Sequence, residues 1–302
     1  MEELRDKKKP DFICVGPEKT GTTWLYKILG QHPEVWLPMI KELRYLNEGN
    51  LFSEHSIKNV LFSSHWHYRA LRRCLMRKIA KQFYVNKISI SSRYRQTLWI
   101  LTYCFGSRSF DWYSNLYPKG AAKLGGDISP MYYGIPEARI MELHKHNENT
   151  KILLFIRNPI DRVWSKAKMN LCIHKARDFN KVSHEEFISV FDEVFRSWQP
   201  YIETINLWER YFSDVFVGFY DALEEDAAKL FEDICSFLGI STTVKNSSIS
   251  VRVNKGIGEK IPNELFEHLR DQYRNEINTM AKKYGEYPKR WIDPLQDCTM
   301  LQ

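Results

Sequence analysis

No apolar run in this 302-residue chain approaches the roughly 18 residues that a bilayer-spanning helix requires. The charged start, Met1 to Pro10, is followed by an apolar stretch, Phe12 to Val15, that falls short of the roughly 7 to 15 residues of a signal-peptide core. A cytoplasmic location is therefore expected. The six cysteines, at 14, 74, 104, 172, 235 and 298, show no CxxC or metal-type spacing, so they read as reduced thiols and small core residues. With 14 Gly and 12 Pro there is neither a collagen-like nor a low-complexity signature, and no linker or internal repeat marks a domain boundary. The stretch from His55 to Phe110 has no Asp or Glu at all.

That stretch nevertheless holds eleven Lys and Arg, whereas the formal charge of the whole chain is +7, so the remainder is net acidic. Leu71, Leu75, Ile79 and Phe83 recur at helical spacing with Arg and Lys between them, which predicts a basic amphipathic helix. Such a helix suits an anionic-substrate cleft, an anionic membrane surface or nucleic acid, and it equally suits a helix packed on the core with a merely solvated face. A content of 43% hydrophobic and 14% aromatic residues is ample for one core. The expected organisation is one domain over 1–302, with the basic, aromatic-rich stretch at about 51–120 inserted as a cap.

Asp11 to Gly16 (DFICVG) reads as a buried strand, a loop follows, and Thr22 to Leu29 has helical composition. Lys151 to Ile156 (KILLFI) is a second buried strand, after which Asn158-Pro159 starts a helix. Ser183 with Glu186 predicts a capping box for a helix to about Arg196. Val215 to Tyr220 is a third strand, Asp226 to Leu238 an amphipathic helix, and Pro262 to Tyr284 a long surface helix stopped by Gly285 and Pro288. Strands alternating with helices predict an α/β fold with a central parallel sheet covered on both faces.

The first loop, Gly16-Pro-Glu-Lys-Thr-Gly-Thr-Thr23, places two glycines five apart between strand and helix, a pattern that cradles phosphate through backbone N–H groups and the helix dipole. Lys19 adds a point charge, and Thr22 and Thr23 add hydroxyls. A nucleotide P-loop needs Lys directly after the second Gly, where this chain has Thr22, and KILLFI ends in Arg157 where a kinase or ATPase would carry a Mg²⁺-holding acid. The pattern suits a phosphate held without a metal. A P-loop nucleotide kinase and a non-catalytic binder of anionic glycan or membrane stand as the alternatives.

Pro17 to Leu25 (PEKTGTTWL) resembles the 5′-phosphosulfate loop of sulfotransferases that use 3′-phosphoadenosine 5′-phosphosulfate (PAPS), with Lys19, Thr20, Gly21, Thr22, Thr23 and Trp24 as its residues. Arg157 to Ser165 (RNPIDRVWS) is similar to the element whose Arg and Ser grip the 3′-phosphate, and Asn254-Lys255-Gly256 to the loop that closes over the phosphates. Asp111 to Tyr117 with Gly126 to Tyr132 (GDISPMY) resembles the WY…GExSPxY stretch of the heparan sulfate and bacterial branches, which makes Asp127, Ser129 and Tyr132 substrate-side candidates together with Lys41. The resemblance implies PAPS as cofactor, no metal, and transfer of a sulfuryl group to a hydroxyl or amine of an acceptor, with adenosine 3′,5′-bisphosphate released.

Such a transfer needs charge stabilisation on the departing oxygen and a base for the acceptor's proton. Lys19 fits the first role. Lys41-Glu42-Leu-Arg-Tyr45 resembles the KExxFF segment whose Glu is the base, so Glu42 is the candidate, although Tyr45-Leu46 replaces the aromatic pair. His65, His67, His144 and His146 form two HxH pairs that lack the further ligands a metal site needs. The acid-free stretch at 55–110 makes an anionic carbohydrate or small molecule an acceptor to test and a membrane surface a partner to test, with no specific nucleic acid expected.

Overall fold

The computed structural model of the chain describes residues 10–47, 90–106, 108–117, 123–243 and 258–291, with single positions at 62, 64, 69, 72, 73 and 76. Most of the predicted basic helix, including all its apolar positions 71, 75, 79 and 83, and the Asn254-Lys255-Gly256 loop lie outside the described residues.

Five strands form one parallel sheet: β1 (Phe12–Gly16), β2 (Val35–Trp36), β3 (Leu124–Ile128), β4 (Lys151–Ile156) and β5 (Val215–Phe219), in the order β2-β3-β1-β4-β5. The apolar runs were legible because a parallel strand covered on both faces has no polar side. Alternate residues divide between the faces. Phe12, Cys14, Leu153 and Phe155 point to one side, where α1 (Thr22–Leu29) and a C-terminal helix, Ala227–Leu238, cover them. Ile13, Val15, Ile152, Leu154 and Ile156 point to the other, larger core.

That larger core is built by α2 (Ile90–Phe105), α3 (Phe110–Asn115), α4 (Glu137–His146), α5 (Pro159–Lys168), α6 (His184–Arg196), α7 (Tyr201–Tyr211) and, after β5, the long helix Asn263–Tyr284. Next come α8 (Tyr220–Glu225), α9 (Ala227–Leu238), α10 (Asn263–Tyr284) and α11 (Glu286–Arg290). Ile100, Tyr103, Trp112, Tyr113, Leu116 and Tyr117, all from the stretch expected to be a cap, belong to this same core. The capping box on α6 forms as expected, with Ser183 Oγ accepting from the Glu186 N–H and the Glu186 carboxylate accepting from the Ser183 N–H. The predicted surface helix, α10, is amphipathic: Leu265, Leu269, Tyr273, Ile277 and Met280 are buried in the core, and each such burial contributes about 1.5–3 kcal/mol. No helix among the described residues is long and apolar enough to cross a membrane.

The sheet order places the topological switch between β1 and β4, because the chain moves from β1 to β2 and β3 on one side and then to β4 and β5 on the other. Ligands of open α/β sheets bind at the carboxyl ends of the strands beside such a switch.

Candidate active site

Two segments leave the sheet at that switch. After β1 the chain passes through Gly16 (φ 97°), Lys19 (φ 71°) and Gly21 (φ 91°) before α1 begins. A Cβ on Gly16 would lie 2.4 Å from the Pro130 carbonyl oxygen, so the loop after β1 and the 3₁₀ turn after β3, Pro130–Gly134, touch through bare backbone. Gly21 occupies the N-cap of α1 with no side-chain cap and no acid in the first turn, which leaves that positive end open to an anion. Thr20 is fully buried and donates its hydroxyl to Pro17 O at 2.7 Å, tying the loop to itself. Trp24 is 5% exposed and packs in the core beneath α1.

Arg157, Arg162, Lys166 and Lys168 converge on this loop, which itself carries Lys19. Arg157, the first residue after β4, donates to Lys19 O at 3.4 Å and lies 4.1 Å from the centre of the Tyr220 ring. Its Nε is buried with no hydrogen-bond partner among the described residues, and the nearest carboxylate, the half-exposed Asp161, stands 3.9 Å away. Lys19 Nζ rests 3.7 Å from Met169 Sδ, in the π-helical turn after α5. Burial lowers the Lys19 pKa; Glu18 opposes this, and Arg157, Lys166 and Lys168 push in the same direction as burial. Lys168 is lowered by burial and then by Arg157. Positive groups held this close favour an anion among them, the reverse of a solvated surface. Ser165 lies on α5 one turn beyond Asp161 and one turn before Lys168, on the face that Arg157 approaches.

On the other side of α1, Lys41 Nζ donates to Thr23 Oγ1 (3.2 Å), Thr22 Oγ1 (3.4 Å) and Glu42 Oε1 (3.2 Å). Arg44 donates to Glu42 Oε2 from Nη2 at 2.7 Å and from Nε at 3.3 Å. Burial alone would raise the Glu42 pKa, but Lys41 and Arg44 together outweigh it and hold the carboxyl below its ordinary value. Glu42 (φ 68°) and Arg44 (φ 55°) are both left-handed although neither is glycine. Each such residue costs on the order of 1–3 kcal/mol and persists only where its surroundings impose it.

Those surroundings are the residues of the GDISPMY stretch. Asp127 is wholly buried and accepts from Tyr113 OH (2.9 Å), Tyr132 OH (2.9 Å) and Ser129 Oγ (2.7 Å). The Leu43 backbone also reaches Asp127, the Arg44 N–H meets Ser129 Oγ at 3.4 Å, and the Tyr45 N–H meets Tyr132 OH at 2.8 Å. Burial raises the Asp127 pKa against the pull of these donors. Asp127, Ser129 and Tyr132 therefore lie behind Glu42, with their polar atoms turned to one another and to the 43–45 backbone.

The structure thus brings Lys19, Thr22, Thr23, Lys41, Glu42 and Arg157 around one loop. His144 and His146 sit on α4 against aromatic rings, and no group of residues able to hold a metal ion exists among those described. Sequence reasoning had Arg44 only as a neighbour of Glu42 in its motif, and it missed Lys168 and Tyr220. Only Lys168 carried a signal, since it repeats the face of Asp161 and Ser165.

The sulfotransferase family model matches residues 10–244. Among solved structures, a sulfotransferase from Alicyclobacillus acidocaldarius is similar at 18% identity and a TM-score of 0.58, with 94% of this chain and 99% of that chain covered. Sulfotransferase STF9 from Mycobacterium avium is similar at 12% identity and a TM-score of 0.50, with 92% of this chain and 79% of that one covered. At these identities the likeness is one of fold. No curated protein sequence matches the chain.

Proposed function

Because the chain belongs to the sulfotransferase family, we propose that it is a PAPS-dependent enzyme that sulfates a hydroxyl or amine of its acceptor from a cytoplasmic location. The observation that carries this reading is the pairing of two anion-ready positions on adjacent strands. The uncapped N-terminus of α1 follows β1, and Arg157, with only the half-exposed Asp161 at 3.9 Å and an Nε that has no hydrogen-bond partner among the described residues, follows β4. A nucleotide with a 5′-phosphosulfate and a 3′-phosphate has anions at both ends, and a single-phosphate ligand would leave one position idle.

In this reading the α1 N-terminus with Thr22 and Thr23 holds the phosphosulfate, and Arg157 with Ser165 holds the 3′-phosphate, a dianion suited to a planar guanidinium. Asn254, Lys255 and Gly256 are assigned to the same nucleotide from their motif. Bound PAPS supplies an activated sulfuryl group. Lys19 neutralises charge growing on the bridging oxygen as the sulfur–oxygen bond breaks. Glu42, ionised and held at the α1 N-terminus through Lys41, accepts the acceptor's proton as the new bond to sulfur forms. Asp127, Ser129 and Tyr132 act as positioning residues that impose the left-handed turn on 42–44. The segment at 51–120 is assigned to the acceptor side of the one domain.

Calorimetric titration with adenosine 3′,5′-bisphosphate, followed by an acceptor screen with ³⁵S-labelled PAPS, tests the proposal. Binding of the bisphosphate and label transfer are expected. A chain that binds ATP with Mg²⁺ and ignores the bisphosphate would overturn it.

A further inference from the structure

Beside the loop after β1 opens a pocket of about 410 Å³, within the range of small-molecule sites. It is walled by Pro17 to Lys19, by the 3₁₀ turn after β3 with Met131 and Tyr133, by one face of α5, and by Ser197 and Trp198 at the end of α6. It therefore adjoins the donor loop yet uses the face of α5 that carries Arg162 and Lys166, one step round the helix from the Asp161, Ser165 and Lys168 face.

Arg162 is the unusual residue in this wall. Its guanidinium stacks 4.4 Å from the centre of the Trp198 ring, and its Nε donates to Glu18 O at 3.2 Å, so its plane is fixed. Lys166 takes the Glu18 carboxylate, and no carboxylate forms an ion pair with Arg162 among the described residues. Glu276 is near enough for the two charges to interact, but its carboxylate accepts the Tyr201 N–H at 2.7 Å. The guanidinium also interacts with the Tyr201 hydroxyl, and one terminal nitrogen, Nη1, is sealed from solvent with no hydrogen-bond partner within reach among the described residues. Glu276 and the Tyr133, Trp198 and Tyr201 rings meet part of this charge, and on the pocket wall Arg162 gains a charge-assisted hydrogen bond from an anion brought by a ligand. A second unsatisfied atom, Asn47 Oδ1, lies on the same wall, while Asn47 Nδ2 is held by Met131 O at 2.8 Å.

We infer that this pocket selects acceptors that carry a carboxylate, with the anionic group set against Arg162 and the reacting hydroxyl or amine turned toward the donor loop. The inference rests on the proposed sulfotransferase reading and adds the class of acceptor. The selecting charge belongs to α5 in the main domain, not to the basic stretch at 55–110.

The test is ligand-observed NMR titration of two matched pairs, with and without adenosine 3′,5′-bisphosphate: methyl β-glucuronide against methyl β-glucoside, and 4-hydroxyphenylacetate against 4-ethylphenol. In at least one pair the carboxylate member should bind about 10-fold or more tightly, the scale of a hydrogen bond to a charged group. Arg162→Met should bring that ratio below about 3-fold. Ser197→Asp places a negative charge on the exposed rim without disturbing the core, and it should erode the preference in the same direction, which keeps the test decisive if Arg162→Met does not fold. Equal binding within both pairs, or a preference that survives both variants, would overturn the inference. The bisphosphate titration alone judges the parent reading, because a carboxylate preference measured without nucleotide stands whether or not the bisphosphate binds.

Discussion

Arg157 Nη1 donates to the carbonyl of Lys19 at 3.4 Å, joining residues 138 positions apart in sequence. The bond stitches the carboxyl end of β4 to the loop after β1, so the proposed 3′-phosphate and phosphosulfate sites form one rigid edge. It also fixes the guanidinium's direction while leaving Nε without a partner.

Arg157→Ala is expected to weaken adenosine 3′,5′-bisphosphate by about 2–4 kcal/mol, as when one member of a buried charge pair is removed. Adenosine 5′-phosphosulfate, which lacks the 3′-phosphate, should lose far less. Calorimetry on both nucleotides checks this, and equal losses would move Arg157 out of the 3′-phosphate site.

Lys19→Ala should lower kcat by about 10²–10³ with a smaller change in PAPS affinity, the pattern of a group that stabilises charge only as the bond breaks. Single-turnover rates at saturating PAPS measure it. Weak binding with normal turnover at saturation would confine Lys19 to binding.

The pH profile reports on Glu42. Its carboxyl pKa lies below the ordinary value because Lys41 and Arg44 overcome burial, so the base stays ionised until the pH falls through that lowered value. Activity is therefore present above it and lost below it, and the acid limb of kcat/KM should lie under the ordinary carboxylate range. Arg44→Gln removes part of the lowering and should move the limb upward. Glu42→Gln should cost about 10²–10⁴ in kcat and abolish the limb. An acid limb that stays in place in Glu42→Gln would assign the base elsewhere.

Asp127→Ala leaves the Tyr113 and Tyr132 hydroxyls without their acceptor, and at roughly 1–3 kcal/mol for each unsatisfied group it should cost about 2–6 kcal/mol of stability in urea unfolding. The released 43–45 backbone should lower kcat while bisphosphate affinity holds. A variant with full turnover would show that the turn at Glu42 needs no such support.

The central strands were legible because β1 and β4 are uninterrupted apolar runs and the helix starts carry Ser183, Asn158-Pro159 and Asp226. The strand β3, LGGDI, was not. Its glycines serve packing, since a Cβ on Gly126 would stand 2.0 Å from the Phe12 ring, and Asp127 is a carboxyl group in the core. A two-glycine, one-acid pentapeptide has no strand pattern to read. The phosphate loop was visible because its chemistry is local to eight residues. Arg162 and Lys166 acquire meaning only when α5 is laid beside residues 130–136 and 197–199, a proximity that no spacing encodes. The turn at Glu42 was named from its motif, but its left-handed geometry depends on a buried network rooted on a different strand.

The bare-backbone contact between Gly16 and Pro130 bears on how this protein can be re-engineered. The residues that wall the pocket, from Pro130 to Pro136, press directly on the loop assigned to the nucleotide, with no side chain between them to absorb a shift. Under the proposed assignments, acceptor choice and donor grip are not separate modules. A library that varies 131–136 to change what is sulfated should recover most of its improved members with altered nucleotide affinity, and selection for one trait will carry the other along.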